Sequence, residues 1–186
     1  MANEIETKVL DIDVATITVR LEEFGAKKIL DTRLTVDWYR TASLKDGEDQ
    51  WYLRIRTDST GKSEITWKGK STSLGVSHSR PEINLSIDDP SQYAEFFKAI
   101  DLAPYAHQEK DRRSFTLGDW RFDLDTYPGM APYLEIEGPS EASIKAAMKK
   151  LGIEKNRTWN QGERRLIQEV YGLNWHAMRF KSKSGL

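Results

Sequence analysis

Charged residues recur two apart along much of this chain, and in an extended strand residues two apart share a face. Glu4, Glu6 and Lys8 do so, with Ile5 and Val9 on the opposite side. Arg54 and Arg56 alternate with Leu53 and Ile55, Lys68 stands two before Lys70, and Arg80 two before Glu82. Lys110 with Arg112, Asp123 with Asp125, and Glu135 with Glu137 complete the series. Any one such pair reads as the solvated face of a half-buried strand. Taken together the signs are sorted: Arg54, Arg56, Lys68, Lys70, Arg80, Lys110 and Arg112 are basic, and the carboxylates fall on other stretches. A solvated surface interleaves its signs, and exposed charges add little stability.

Turned inward, the same pattern has a chemistry. Base gathered in a confined space is costly unless a highly charged anion binds there. Arginine forks and lysine ammonium groups suit the oxygens of a phosphate chain. Carboxylates beside phosphate repel it unless a divalent cation lies between, and Mg²⁺ is usually held by one or two carboxylates plus phosphate oxygens. With no cysteine and no paired histidines, the donor set points to Mg²⁺ or Mn²⁺ and away from zinc.

The elements that must carry these residues are strands. Alternation and turn residues predict eight, at 3–10, 34–42, 50–58, 62–70, 77–87, 106–117, 120–126 and 133–138. Asp46-Gly47, Thr60-Gly61 and the two-residue Gly118-Asp119 separate neighbours as tight turns. Eight strands close into a barrel that holds side chains or one small ligand. Helical spacing predicts three helices: one behind Asp13 (Val14, Ile17, Leu21, Phe24), one opened by Asp89-Pro90, and one capped by Ser140 and ended by Gly152. A fourth is expected from about 160 to 171. The fold class is therefore α+β, a closed eight-stranded antiparallel β-barrel with helices packed outside.

Composition narrows the partners. The chain has 186 residues, 31% of them charged, with 28 Lys+Arg against 29 Asp+Glu and a formal net charge of −1. Near-neutrality argues against a nucleic-acid polymer or an anionic membrane surface as partner. No apolar run is long enough to span a bilayer, and the opening Met1-Ala2-Asn3-Glu4 is unlike a secretory segment. The absence of cysteine fits a cytoplasmic location. One domain over 1–180 with a frayed tail at 181–186 is expected. No sequence feature specifies an oligomeric state.

In this order and spacing the motifs resemble the CYTH superfamily, the triphosphate tunnel metalloenzymes. Glu4-Ile5-Glu6-Thr7-Lys8 is similar to the family's E-x-E-x-K, Asp37-Trp38-Tyr39 to its D-x-Y, and Leu53-Arg54-Ile55-Arg56 to its L-R-x-R. Thr66-Trp67-Lys68 resembles T-x-K, Arg80-Pro81-Glu82 R-x-E, and Lys110-Asp111-Arg112 K-x-R. Leu124-Asp125 with Glu135-Ile136-Glu137 resembles L-D…E-x-E. The resemblance implies a tunnel that binds a small triphosphate with a divalent metal. Lys8, Arg54, Arg56, Lys68, Arg80, Lys110 and Arg112 would hold phosphates; face parity rather than motif adds Lys70 to this basic set and Asp123 to the carboxylates. Glu4, Glu6, Asp125, Glu135 and Glu137 would hold metal and the attacking water, so that Glu4, Glu6 and Lys8 form the catalytic group. Glu82 would orient a neighbouring cation. Thr158-Trp159 stands where many members have Ser-Tyr.

The implied activity is hydrolysis of inorganic triphosphate or an organic triphosphate, thiamine triphosphate among them. A class IV adenylyl cyclase, turning ATP into cyclic AMP and pyrophosphate, would use the same phosphate and metal groups. A non-catalytic polyphosphate or nucleotide grip would need the basic strands without the full carboxylate set, which is present here. Gly61-Lys62-Ser63 and Gly69-Lys70-Ser71 end like phosphate loops but lack the upstream glycine. His78 shares the face of Arg80. Tyr52 shares that of Arg54 and could stack on an aromatic ring near a tunnel mouth.

Overall fold

The computed structural model describes residues 2–44 and 51–181. In chain order its main elements are β1 (Ala2–Val9), α1 (Val14–Glu23), β2 (Lys27–Thr41), β3 (Tyr52–Asp58), β4 (Ser63–Lys68), β5 (Thr72–Leu74) and β6 (Ser77–Ile87). There follow α2 (Pro90–Ala99), β7 (Leu102–Leu117), β8 (Trp120–Thr126), β9 (Tyr133–Glu137) and α3 (Glu141–Lys150). After the short β10 (Thr158–Trp159), α4 (Glu163–Arg165) continues as a π-helical turn, Leu166–Val170, and β11 (Ala177–Met178) closes the series.

Eight strands form a closed ring in the order β1-β9-β8-β7-β2-β3-β4-β6, and β6 pairs with β1 again. Every pairing in the ring is antiparallel. These are the eight expected strands; β5, β10 and β11 are short additions on the ring. Closure removes the sheet edges and separates an inner from an outer face. At the β7–β8 hairpin Gly118 has φ +57°, the left-handed geometry that a two-residue turn requires. The Asp46-Gly47 turn lies outside the described residues.

The helices begin where side-chain caps satisfy their free amides. Asp13 Oδ1 accepts from the Thr16 amide at 2.7 Å, Asp89 Oδ1 from Ser91 and Gln92, and Ser140 Oγ from Ser143 at 3.1 Å. α1 and α3 cover the outer face of β1, β7, β8 and β9 through a core that includes Ile17, Leu21, Phe115, Phe122, Ile136 and Ile144. α2 covers β2–β4 through Phe97 against Tyr39, Leu53, Ile55 and Ile65. The third core differs in kind. Leu34, Val36 and Trp38 share the inner parity of β2 and cluster with Leu166, Ile167 and Trp175 of the C-terminal segment. That segment occupies one end of the barrel, and its helix is shorter than the expected 160–171. β4 also ends early, at Lys68 rather than 70.

The apolar face thus meets the helices and the charged face lines the interior. Glu6, Lys8, Lys110, Arg112, Asp123 and Asp125 are all buried. A barrel with a merely solvated charged exterior would have exposed them.

Candidate functional site

The barrel encloses a cavity of about 710 Å³. β1 contributes Glu4, Glu6 and Lys8; β3 Tyr52, Arg54 and Arg56; β4 Glu64 and Lys68; β6 His78, Arg80 and Glu82. β7 adds Lys110 and Arg112, β8 Arg121 and Asp123, and β9 Glu135 and Glu137. Each set follows from strand alternation: once one residue of a strand faces inward, its i+2 neighbours do too. Gln161, Glu163, Arg164, Arg165 and Gln168 reach the cavity from the C-terminal segment.

On β7, β8 and β9 cations and carboxylates are joined. Arg112 donates from Nε to Asp125 Oδ1 at 2.6 Å and from Nη2 to Asp125 Oδ2 at 2.5 Å, while its Nη1 reaches Asp123 at 2.5 Å. Lys110 Nζ lies 2.9 Å from Asp125 and 3.2 Å from Glu163. Burial works against the Arg112 charge, yet Asp123 and Asp125 hold its pKa well above the usual value. Burial likewise opposes the Asp125 carboxylate, but Arg112 and Lys110 hold it well below the usual range. Tyr133 donates to both Asp125 and Glu163.

Around β1 the carboxylates crowd. Lys8 Nζ bridges Glu6 and Glu135, 2.8 Å from each. Lys68 Nζ stands 2.5 Å from Glu4 and 2.7 Å from Glu82. His78 Nε2 is 3.2 Å from Glu6. Burial and the neighbouring Glu6 raise Glu4 to about 9, outweighing Lys68. Burial opposes the Glu82 charge, but the hydrogen bond from Glu4 and the Lys68 ammonium bring it to about 2. Glu4 therefore carries the proton of this pair. Burial also raises Glu137, against the pull of Arg121.

Those raised carboxylates are the observation that bears on a metal. Protons accumulate where negative charge is dense and under-compensated, which is also where a divalent cation gains most. Among the described residues no three acidic or imidazole groups converge into a ready metal cage. Mg²⁺ seldom uses one; it takes one or two carboxylates and completes its shell with water and phosphate oxygens. Glu4, Glu6, Glu135 and Glu137 fit that requirement.

β3 and β6 carry base of another kind. Arg56 pairs with Glu64 at 2.8 Å, while burial and the Arg54 and Arg112 guanidinium groups lower it to about 10. Arg54 and Arg80 have no ion-pair partner among the described residues, and the Nε of each is buried without a hydrogen bond. Two uncompensated guanidinium groups facing a cavity are costly unless an anion completes them.

The structure brings together every expected site residue except two. Lys70 lies beyond the end of β4, where Gly69 bonds to Pro81 and releases the strand alternation, and it is exposed. This corrects its placement on the inner face by parity. Asp125 is inward but fully buried, with both oxygens taken by Arg112, Lys110 and Tyr133. Glu82, expected to orient a neighbouring cation, lies 2.7 Å from Lys68 Nζ. Trp159 pairs with Lys8 and donates from Nε1 to the Gly162 carbonyl, fastening the C-terminal segment. Glu64, Arg121 and Glu163 escaped the sequence reading. The first two share inner-face parity with Thr66 and Asp123, a signal that was available; Glu163 sits on a helical turn and carried none.

Residues 2–168 match the family model of the CYTH domain. Among solved structures, the PH1012 protein from Pyrococcus horikoshii is similar with a TM-score of 0.68 at 23% identity, covering 83% of this chain and 94% of that one. A putative adenylate cyclase from Vibrio parahaemolyticus gives 0.72 at 12% identity, covering 89% and 97%. A putative adenylyl cyclase from Hippeastrum, described as having a dominant triphosphatase activity, gives 0.64 at 14%, covering 92% and 96%. At such identities the likeness carries the fold alone. No curated protein matches the chain.

Proposed function

The chain belongs to the CYTH domain family, and from that premise we propose that it is a metal-dependent enzyme that hydrolyses a triphosphate inside the barrel, inorganic triphosphate first among substrates. The observation that carries the reading is the pairing of opposites in one cavity: Arg54 and Arg80, without an ion-pair partner among the described residues, on one side, and the crowded carboxylates Glu4 and Glu137, both raised above their ordinary range by burial, on the other. Arg54, Arg80 and Arg56 hold the phosphate chain, with Lys68 and Arg121 at its flank. Fixed cations in a confined, low-dielectric cavity need no reorganisation as charge develops on the equatorial oxygens. Glu4, Glu6, Glu135 and Glu137 would hold Mg²⁺ or Mn²⁺, which when bound supplies charge neutralisation between carboxylates and phosphate. Glu6, held ionised by Lys8, Lys68 and His78 despite burial, orients the attacking water. Lys8 fixes Glu6 and Glu135 relative to each other.

The test is turnover by the purified full chain of inorganic triphosphate, ATP and thiamine triphosphate, with products identified. Orthophosphate plus pyrophosphate from inorganic triphosphate, abolished by EDTA and by Glu4→Ala or Glu135→Ala, is expected. Cyclic AMP from ATP would move the assignment to the cyclase. Tight binding without metal-dependent turnover on any substrate would make the protein a grip rather than an enzyme.

A further inference from the structure

Two cavity arginines that have no carboxylate partner among the described residues, Arg54 and Arg80, are each held by an aromatic ring. Arg54 Cζ lies 5.4 Å from the centroid of Trp38, and Arg80 Cζ lies 5.2 Å from that of Tyr52. Both distances are inside the range of about 6 Å over which a ring quadrupole attracts a cation. Trp38 and Arg54 are directly opposed across the β2–β3 ladder, and Tyr52 stands two residues before Arg54 on the same face. The rings meet edge to face, centroids 6.1 Å apart at 84°. Trp38 is itself anchored: its Nε1 donates to Gln108 Oε1 at 2.9 Å, and Gln108 Nε2 donates to the Trp175 carbonyl at 2.8 Å.

Other cations of the cavity show what the alternative looks like. Lys8, Arg56, Lys68, Lys110, Arg112 and Arg121 each have a carboxylate within ion-pair distance. Such a partner orients the cation but also cancels its charge and competes with an incoming anion. A ring face orients a guanidinium while leaving its charge whole, because the quadrupole carries no net charge. Arg80 makes the contrast concrete. It sits opposite Glu4 in the β1–β6 ladder, yet Glu4 pairs with Lys68 and Arg80 lies over Tyr52.

We propose that Trp38 and Tyr52 are positioning residues for the phosphate site, holding Arg54 and Arg80 in place without neutralising them. Tyr52, on this account, presents its ring to a protein cation and not to a substrate ring. The proposal rests on the reading of the cavity as a triphosphate site. It makes affinity depend on an aromatic ring at each position and not on the hydroxyl or the indole nitrogen.

The experiment measures binding of inorganic triphosphate to the full chain by titration calorimetry, with steady-state kinetics alongside. Tyr52→Leu and Trp38→Leu are each expected to weaken binding about tenfold, raising KM with kcat within about twofold. Tyr52→Phe and Trp38→Phe, which keep a ring, are expected to stay within about threefold of wild type. If a leucine variant does not fold, as judged by thermal melting, the methionine variant of similar length replaces it in the comparison. Leucine or methionine variants that fold and bind like wild type overturn the proposal and leave the functional reading standing. Phenylalanine variants as weak as leucine overturn it as well. A wild-type chain that binds no triphosphate overturns the functional reading, and this proposal with it.

Discussion

The two sides of the barrel interior use the same residue types at the same spacing and do different work with them. On β7 and β8, Arg112 and Lys110 are tied to the buried Asp123 and Asp125, and half-buried Glu163 of α4 adds a further partner for Lys110, with hydrogen bonds close to saturation. On β3 and β6, Arg54 and Arg80 face the cavity with a ring against each guanidinium and no carboxylate partner among the described residues. The first side is an internal ion network whose charges answer one another. The second leaves its charge unanswered among the described residues, which is what the proposed phosphate site requires. A buried cation is therefore no sign of a binding site by itself; the proposed site rests on half-buried cations that lack a countercharge among the described residues.

That contrast can be broken at its strongest point first. Asp125→Ala should strand the Arg112 and Lys110 charges and destabilise the fold by about 3–5 kcal/mol, read by chemical denaturation. Arg54→Ala and Arg80→Ala should instead weaken inorganic triphosphate binding by about thirtyfold, since hydrogen bonds to charged groups contribute about 1.5–3 kcal/mol. Their melting temperatures should hold or rise, because an uncompensated charge is removed. Equal destabilisation by Asp125→Ala and Arg54→Ala would erase the distinction.

Smaller effects sharpen it. Glu4 sits at about 9 in the folded chain against 4.5 as its ordinary value, so between those values the folded state binds the extra proton. The stability this proton contributes is full below about 4.5 and is lost as pH rises toward 9. Glu82 works in the opposite sense, its contribution present above 4.5 and lost as pH falls toward about 2. Denaturation across that range should show Glu4→Gln flattening the alkaline decline. Glu64→Gln should release Arg56 to the ligand and tighten triphosphate binding about threefold, the scale of one partly exposed ion pair. Lys70→Ala should change stability by less than about 0.5 kcal/mol and leave binding unaltered; a tenfold loss of affinity would return Lys70 to the site.

Period-two alternation, capping residues and turn glycines made the eight ring strands and three principal helices legible, because these are local rules read over a few neighbours. Sorted charges also told which face turns inward, since a core of Leu53, Ile55, Phe122 and Ile136 needs the helices on the other side. The limits of parity were equally local in origin. Lys70 kept the two-residue spacing while the strand stopped at Lys68, and alternation says nothing once the ladder ends. Glu163 lies far along the chain from Lys110 and reaches it only because Leu166 and Ile167 bury against the inner face of β2.

Residue types and spacing alone thus determined a barrel with a charged interior and the set of strands that line it. Tertiary structure decided which cation meets which carboxylate. That pairing depends on angstrom-scale distances between side chains of strands remote in sequence, such as Arg80, which leans to Tyr52 although its ladder partner is Glu4. Charge is inherited from the sequence, but whether a charge is spent or available is set by its neighbours in space.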